Sequence, residues 1–320
     1  MTIESLQFIE DHNRKQTNKG TAKALTFAFL ISGSVIFCQL IASFLIGIIT
    51  VFIPNLNVDS IYVTLALYLF YIGIPALFGF FIFKSTTNTK KYVFVKRRSP
   101  KKPLVFIFGA IGSGFIFNLL VSLLFPSVVE HSEDIGIAAS SNSEILLNFL
   151  MYAILPAILE EILFRGIILK NLLPYSKSGA IIISALLFGI THMNPIQILF
   201  ASVFGVILGV CYEYTGSLLI PIIMHFINNS ISVAVSLAHP QSLIEIIMAL
   251  IIYVFMGFAI YAIIYYSKNG YKTHSISRLD KPSNGYQLSA TRFLFKSVFN
   301  IGFVVYAALL IYILVLINMS

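Results

Sequence analysis

Long apolar runs, separated by short polar segments, dominate this chain and limit the folds open to it. A run of about 20 apolar residues is long enough to cross the hydrocarbon core of a bilayer as a helix. Hydrophobic residues make up 58% of the 320 residues and charged residues only 11%, with a mean hydropathy of +0.90. These values predict an all-α fold, a polytopic transmembrane helix bundle, and exclude a soluble globular core.

The apolar runs predict about nine transmembrane spans. In chain order, these cover residues 24–53, 61–83, 104–125, 145–169, 179–193, 196–214, 217–238, 243–266 and 293–317. The fifth is short, and only Asn194-Pro195 separates it from the sixth. The pattern divides the chain into a cytoplasmic N-terminal segment (1–23), two spans with a basic cytoplasmic loop (24–103), a core (104–266), and a cytoplasmic loop with the final span (267–320).

The basic residues predict how the chain is oriented in the cell membrane. All 21 Lys and Arg fall in segments on one predicted side or in spans near it, and the predicted outer loops contain none. Because cytoplasmic loops are enriched in Lys and Arg, we expect a cytoplasmic N-terminus and a C-terminus outside. The net charge of +8 then indicates membrane lipid as the partner and no nucleic acid. Loop 84–102 is interpreted as an anchor to anionic lipid, with docking of a partner as the alternative.

Three ionisable residues lie close together in the fourth predicted span, in the stretch Leu159-Glu-Glu-Ile-Leu-Phe-Arg-Gly166. A charged residue at the centre of a span costs about 2.5–3.5 kcal/mol on insertion scales, so these residues need compensation. Glu161 and Arg165 are four positions apart on one helical face, so we expect a structural ion pair. Glu160 points about 100° away from Glu161 and is expected to need another partner.

Two other predicted spans carry histidine. The fifth ends in Phe188-Gly-Ile-Thr-His192, and the seventh contains His225-Phe-Ile-Asn-Asn229. Either histidine taken alone is explained by an interhelical hydrogen bond, without a catalytic role. Together with Glu160, they match the needs of amide hydrolysis, which are a base for water, an acid for the leaving amine and donors for an oxyanion. In this hypothesis Glu160 is the base, His192 holds the water, and His225 and Asn229 donate to the oxyanion.

These motifs resemble those of a known family. In order, Glu160-Glu161-x-x-x-Arg165, Phe188-x-x-x-His192 and His225-x-x-x-Asn229 are similar to the three motifs of the CPBP family of CAAX prenyl endopeptidases and bacteriocin-processing enzymes, also called the Abi family. The resemblance covers about residues 145–235. It implies that residues 104–266 form the core of an intramembrane endopeptidase, with a water-filled cavity open toward the cytoplasm.

The resemblance also implies roles for single residues. Glu160 and His192 would activate water, His225 and Asn229 would stabilise the oxyanion, and Glu161 and Arg165 would give structural support. Glu and His are also ligands that zinc accepts, so Glu160, His192 and His225 would be the ligands if zinc is used. The chain contains no His-Glu-x-x-His motif. A metal-free mechanism without a cofactor is therefore favoured, with zinc as the alternative.

The expected substrate is a membrane-associated peptide or protein tail. One alternative function is a non-catalytic membrane scaffold or bacteriocin-immunity protein with the same fold. A scaffold has no evident need for the unpaired Glu160. Another alternative is a carrier that uses the polar cluster as a proton or ion site. A carrier predicts transport that depends on Glu160 and no cleavage product.

Overall fold

A computed structural model describes residues 3–53, 60–86, 100, 102–126, 139, 141–238, 242–268 and 288–319. All regular secondary structure in these residues is helical, as predicted. The helices are α1 (Ile3–Phe52), α2 (61–86), α3 (Pro103–Leu124), α4 (Asn142–Leu172), α5 (Lys177–Ile190), α6 (Pro195–Thr215), α7 (Leu219–Leu237), α8 (Leu243–Lys268), α9 (Ala290–Val298) and α10 (Ile301–Met319). Most of the predicted basic loop and of the loop before α9 lies outside the described residues.

The protein is a multi-pass membrane protein. Within the described ranges, seven helices are long and apolar enough to cross a membrane, namely α1 to α4 and α6 to α8. Helices α9 and α10, bent by 59° to each other, make an eighth span if they count as one. The predicted count of nine is therefore approximate. The difference is α5, whose 14 residues extend only about 21 Å, less than the roughly 30 Å hydrocarbon core.

Helix α5 nevertheless reverses the direction of the chain as a span does. Helices α1 and α10 run parallel, because Thr26 donates to the Asn300 side chain at 3.0 Å and, six residues further along each helix, the hydroxyls of Ser32 and Tyr306 lie 3.4 Å apart. Two parallel helices start from the same side of the bundle. An odd number of passes must therefore lie between them, and α2 to α8 make an odd number only when α5 counts.

One end of the bundle carries Lys102, Lys170 and Lys177, and we call it the basic end. Helices α4, α6 and α8 finish there, and α3 and α5 begin there. Lys102 donates to the hydroxyl of Tyr261 at 3.0 Å, and this bond raises the pKa of Lys102. Lys177 at the start of α5 pairs at 2.8 Å with Glu213 near the end of α6. The positive-inside rule predicts that the basic end faces the cytoplasm.

Glycines bring helices into close contact at two crossings. A Cβ atom on Gly112 of α3 would overlap the backbone carbonyl of Phe255 in α8. A Cβ atom on Gly205 of α6 would lie 3.1 Å from Ala185 in α5, tighter than ordinary van der Waals contact. These glycines therefore allow the helices to pack closely at both crossings.

The site described next lies where two apolar clusters meet. One cluster joins α1, α2, α4 and α5 around Phe164 and Phe188, and the other joins α3, α6 and α7 around Leu208 and Phe204. The ring of His225 contacts both, with centroid distances of 5.7 Å to Phe188 and 6.1 Å to Phe204. Apolar packing on two sides fixes the position of this imidazole.

Candidate functional site

The two adjacent acids of α4 lie in a short α-helical part that has a π-helical segment on each side. Glu160 and Glu161 lie in a short α-helical part, Leu155–Glu161, between the π-helical segments Leu150–Ile154 and Ile162–Leu169. π-Helical turns inside α-helices are frequent at functional sites.

Pro156 explains why a backbone carbonyl of α4 is free to bind a side chain of α7. Proline has no N–H, so Pro156 cannot donate to the carbonyl of Tyr152 one turn before it. That carbonyl accepts a hydrogen bond from Asn229 Nδ2 of α7 at 3.1 Å. The Asn229 Oδ1 atom accepts from Asn228 Nδ2 at 3.2 Å. One N–H of the Asn229 amide is thereby used, and its second N–H remains for a ligand.

Glu161 and Arg165 form an ion pair at the spacing expected from the sequence. Arg165 Nη1 donates to Glu161 Oε1 at 2.7 Å, and both side chains are buried. Arg165 Nη2 donates to the backbone carbonyl of Gly205 at 3.1 Å. The guanidinium carbon also lies 4.6 Å from the ring centre of Phe188. The buried cation is therefore compensated by a carboxylate, a carbonyl and an aromatic face.

Glu161 also orients His225. The Nδ1 atom of His225 lies 2.9 Å from the same Oε1 atom of Glu161. A carboxylate paired with arginine only accepts, so Nδ1 carries the proton and donates. The other ring nitrogen, Nε2, lies 3.9 Å from Glu160 Oε2. This is too long for a hydrogen bond, so Glu160 and His225 are neighbours with no bond between them.

Glu160 has a partner that the sequence did not indicate. Its Oε1 atom accepts a hydrogen bond from the hydroxyl of Tyr68 in α2 at 3.0 Å. Its Oε2 atom is buried and has no hydrogen-bond partner among the described residues. Tyr68 is one of 16 tyrosines, and nothing in its apolar run distinguishes it from the nearby Tyr62 and Tyr71. Only the packing of α2 against α4 identifies it.

His192 lies just beyond the end of α5. Its Nδ1 atom is 3.0 Å from the backbone carbonyl of Phe188 and donates to it, which leaves Nε2 for other contacts. The rings of His192 and Phe188 are 5.1 Å apart, edge to face. Because Phe188 also contacts His225, this phenyl ring sets the spacing of the two imidazoles.

Three of the four residues predicted to share a chamber do so. His192, His225 and Asn229 line a cavity of about 300 Å³ between α3, α6 and α7. Glu160 does not line this cavity and adjoins it only through His225. Three amides that were not singled out from the sequence also line it: Asn118, Gln197 and Asn228. The sequence alone could have indicated these three residues, because an amide inside an apolar span is unusual.

The residues named for zinc do not fit a zinc site. A catalytic zinc needs three protein ligands at about 2 Å from the metal. Among the described residues, no group of three or more His, Cys, Asp or Glu side chains could hold a metal ion. We therefore derive no step through a metal.

A comparison with family models agrees with the motifs. Residues 142–231 match the model described as "Type II CAAX prenyl endopeptidase Rce1-like". The matched segment contains α4, α5, α6 and most of α7, and therefore Glu160, His192, His225 and Asn229. Comparisons with curated proteins and with solved structures found no match. The match over residues 142–231 supports membership of the CPBP family.

Proposed function

We propose that the protein is an intramembrane endopeptidase that hydrolyses a peptide bond in a membrane-associated peptide or protein tail. The observation that carries this proposal is the approach of Glu160 Oε2, a buried acceptor without a partner among the described residues, to within 3.9 Å of His225 Nε2. Glu161 Oε2 is likewise buried without a partner, but Glu161 is paired with Arg165, whereas Glu160 accepts only from the neutral hydroxyl of Tyr68 among the described residues. Glu160 is therefore the acid that the structural ion pair does not explain.

Glu160 is proposed as the general base. The hydroxyl of Tyr68 donates to Oε1 and holds the carboxylate in place, so Oε2 is the atom that would take a proton. A water next to Oε2 would lose this proton as its oxygen attacks the carbonyl carbon of the peptide bond. His192, whose Nδ1 is held by the Phe188 carbonyl, is proposed to hold the same water through Nε2.

His225 and Asn229 are proposed to stabilise the oxyanion. With Nδ1 donating to Glu161, His225 needs a second proton, on Nε2, in order to donate to the oxyanion. The second N–H of Asn229 would be the other donor. When the C–N bond breaks, the proton held by Glu160 passes to the leaving amine. The products are then a carboxylic acid, which keeps the second proton of the water, and a free amine, and the base is regenerated. Transfer of that second proton to the amine gives the carboxylate and the ammonium group.

The decisive experiment compares the peptides released by cells that carry the intact chain with those from cells that carry Glu160→Gln. The variant keeps an acceptor for Tyr68 and has no basic carboxylate, so we expect its products to disappear while membrane insertion and yield stay normal. Ser184→Ala, away from the cavity, serves as the matched control and should release the normal peptides. Identical peptide sets from both cell types, at equal protein levels, would overturn the proposal and favour a scaffold.

A further inference from the structure

A second pocket, of about 530 Å³, lies at the basic end between α1 and the short helix α9, and we call it the α9 pocket. It shares no lining residue with the cavity of the proposed active site. Contacts on the opposite face hold α9 in place. The N–H of Leu288 donates to the Tyr175 carbonyl at 2.8 Å, and a Cβ atom on Gly179 of α5 would overlap the buried ring of Phe293. The shape of the pocket is therefore set by packing outside it.

The lining of the α9 pocket combines cations with an apolar surface. Arg292 and Lys296 both line it, and because they are four positions apart they share one face of α9. Phe295 and Phe299 line it as well, with ring centres 4.7 Å apart. A ligand that fills the pocket must therefore match two positive charges and two aromatic rings side by side.

The two cations of the α9 pocket are not neutralised within the part of the chain that the structure describes. Neither Arg292 nor Lys296 forms an ion pair there, and the described lining contains no Asp or Glu. Like charges at this spacing repel each other, and an anion between them would remove the repulsion. Arginine binds phosphate through two parallel hydrogen bonds and lysine binds it as a point charge. The amide of Asn18, from α1, can add a neutral donor.

The α9 pocket lies where an apolar helix begins. Helix α10 starts at Ile301, directly after α9, and its 19 residues extend about 28 Å, close to the thickness of the hydrocarbon core. Asn300 fixes this junction to α1, because its Nδ2 donates to the Ala22 carbonyl at 2.9 Å and its Oδ1 accepts from the Thr26 hydroxyl at 3.0 Å. The end of a span lies at the depth of lipid headgroups. Lipid phosphate is therefore present at this level, whichever side of the membrane the basic end faces.

The combined lining favours a phospholipid over a soluble anion. A free phosphate or an acidic peptide would pair with the two cations but would bring no hydrocarbon chain to the aromatic rings. A phospholipid supplies both parts in one molecule. The volume of about 530 Å³ lies within the range of ligand sites, roughly 300 to 1,000 Å³.

We propose that the α9 pocket binds one anionic phospholipid, with its phosphate between Arg292 and Lys296 and the start of its acyl chains along Phe295 and Phe299. Loop 84–102, predicted to anchor the chain to anionic lipid, would attract many lipid molecules loosely, whereas the α9 pocket would hold a single one. The site is independent of the proposed catalysis, so Glu160→Gln should bind the lipid as the parent does.

The test titrates the purified full chain in detergent with phosphatidylglycerol and counts bound lipid by native mass spectrometry. We expect one molecule per chain. The double variant Arg292→Gln with Lys296→Gln should weaken binding by about 25-fold, from about fivefold for each cation next to an anionic lipid. The matched control, Lys19→Gln with Lys23→Gln, removes two exposed cations of the same spacing from α1, outside the pocket. It should weaken binding less than twofold. Equal weakening by the two double variants would show diffuse attraction to the basic end and overturns the proposal.

Competition experiments distinguish a lipid from a soluble ligand. Neither glycerol phosphate nor a polyglutamate peptide, each at tenfold excess, should displace the bound phosphatidylglycerol. Displacement by glycerol phosphate would identify a site for free phosphate, displacement by the peptide would identify a site for an acidic protein, and either result overturns the proposal. If the double variant does not fold, Lys296→Arg and Lys296→Gln replace it. The arginine should keep the affinity and the glutamine should lose about fivefold, whereas equal affinities would contradict a phosphate contact at this position.

Discussion

The buried ion pair of Glu161 and Arg165 predicts a large difference between two apparently similar substitutions. Arg165→Met removes a fully buried cation, and leaves the Glu161 carboxylate and the Gly205 carbonyl without their donor. Ser184→Ala also removes a buried donor to a backbone carbonyl, that of Phe164 at 2.8 Å, but it leaves no charge. The two variants therefore separate the cost of an unpaired charge from the cost of one lost hydrogen bond.

The expected magnitudes differ by several-fold. Breaking a buried ion pair by removing one partner costs about 3–5 kcal/mol. Neutral interhelical hydrogen bonds in membrane proteins average about 0.6 kcal/mol, with a maximum of about 1.7. At about 2–4 °C per kcal/mol, Arg165→Met should lower the apparent melting temperature by on the order of 10 °C and Ser184→Ala by about 2 °C. The loss of the Phe188 contact adds to the first value.

The assay is the fraction of monodisperse protein that remains after stepwise heating in detergent. A double variant, Glu161→Gln with Arg165→Met, removes both charges and keeps an acceptor for His225. It should recover at least half of the stability lost in Arg165→Met, because no unpaired charge is left. The reasoning is refuted if Arg165→Met melts within about 2 °C of the parent, or if the double variant is no more stable than Arg165→Met.

Three further predictions follow from other contacts. Tyr68→Phe should lower kcat by about 10- to 100-fold, the effect of losing a hydrogen bond of about 1.5–3 kcal/mol to a charged group, and should lower the melting temperature less than Arg165→Met does; unchanged kcat would remove Tyr68 from the site. Gly112→Ala should reduce the yield of folded protein through overlap with Phe255, whereas Gly257→Ala, with open space around it, should not; equal yields would contradict the packing. Chelators should leave cleavage intact and purified protein should lack stoichiometric zinc, and chelator inhibition reversed by zinc would overturn the metal-free mechanism.

Much of the fold could be predicted from the sequence because lipid imposes simple rules on helix length and polarity. Seven predicted spans recur as helices that can cross a membrane. Helix α5 was harder to predict as a pass through the membrane, because its apolar run is short. That α5 reverses the direction of the chain is deduced from the parallel packing of α1 and α10. Such packing is a relation between distant parts of the chain, and no local pattern encodes it.

The candidate site was predictable to the extent that its contacts are local. The bond of Glu161 to Arg165 follows from a spacing of four residues on one helix. The bonds of Tyr68 to Glu160 and of His225 to Glu161 join separate helices. The rotation and depth of each helix decide these contacts. The sequence therefore could not determine which of the two carboxylates His225 contacts.

The two adjacent acids of α4 have unequal surroundings, and this inequality explains how one helix carries both. Glu161 Oε1 accepts from Arg165 at 2.7 Å and from His225 at 2.9 Å, so its charge is fixed by a cation and an imidazole. Glu160 accepts only from the neutral hydroxyl of Tyr68 among the described residues. Coulomb attraction between unit charges near 3 Å is worth several kcal/mol even at an effective dielectric constant of 20.

Arg165 therefore pairs with Glu161, whereas Glu160 forms no hydrogen bond with a cation among the described residues. It follows that Glu161→Gln should impair stability and catalysis together, while Glu160→Gln should impair catalysis alone. Comparing the loss of stability with the loss of activity in each of these two variants distinguishes this division of roles from a site in which the two carboxylates act as equivalents.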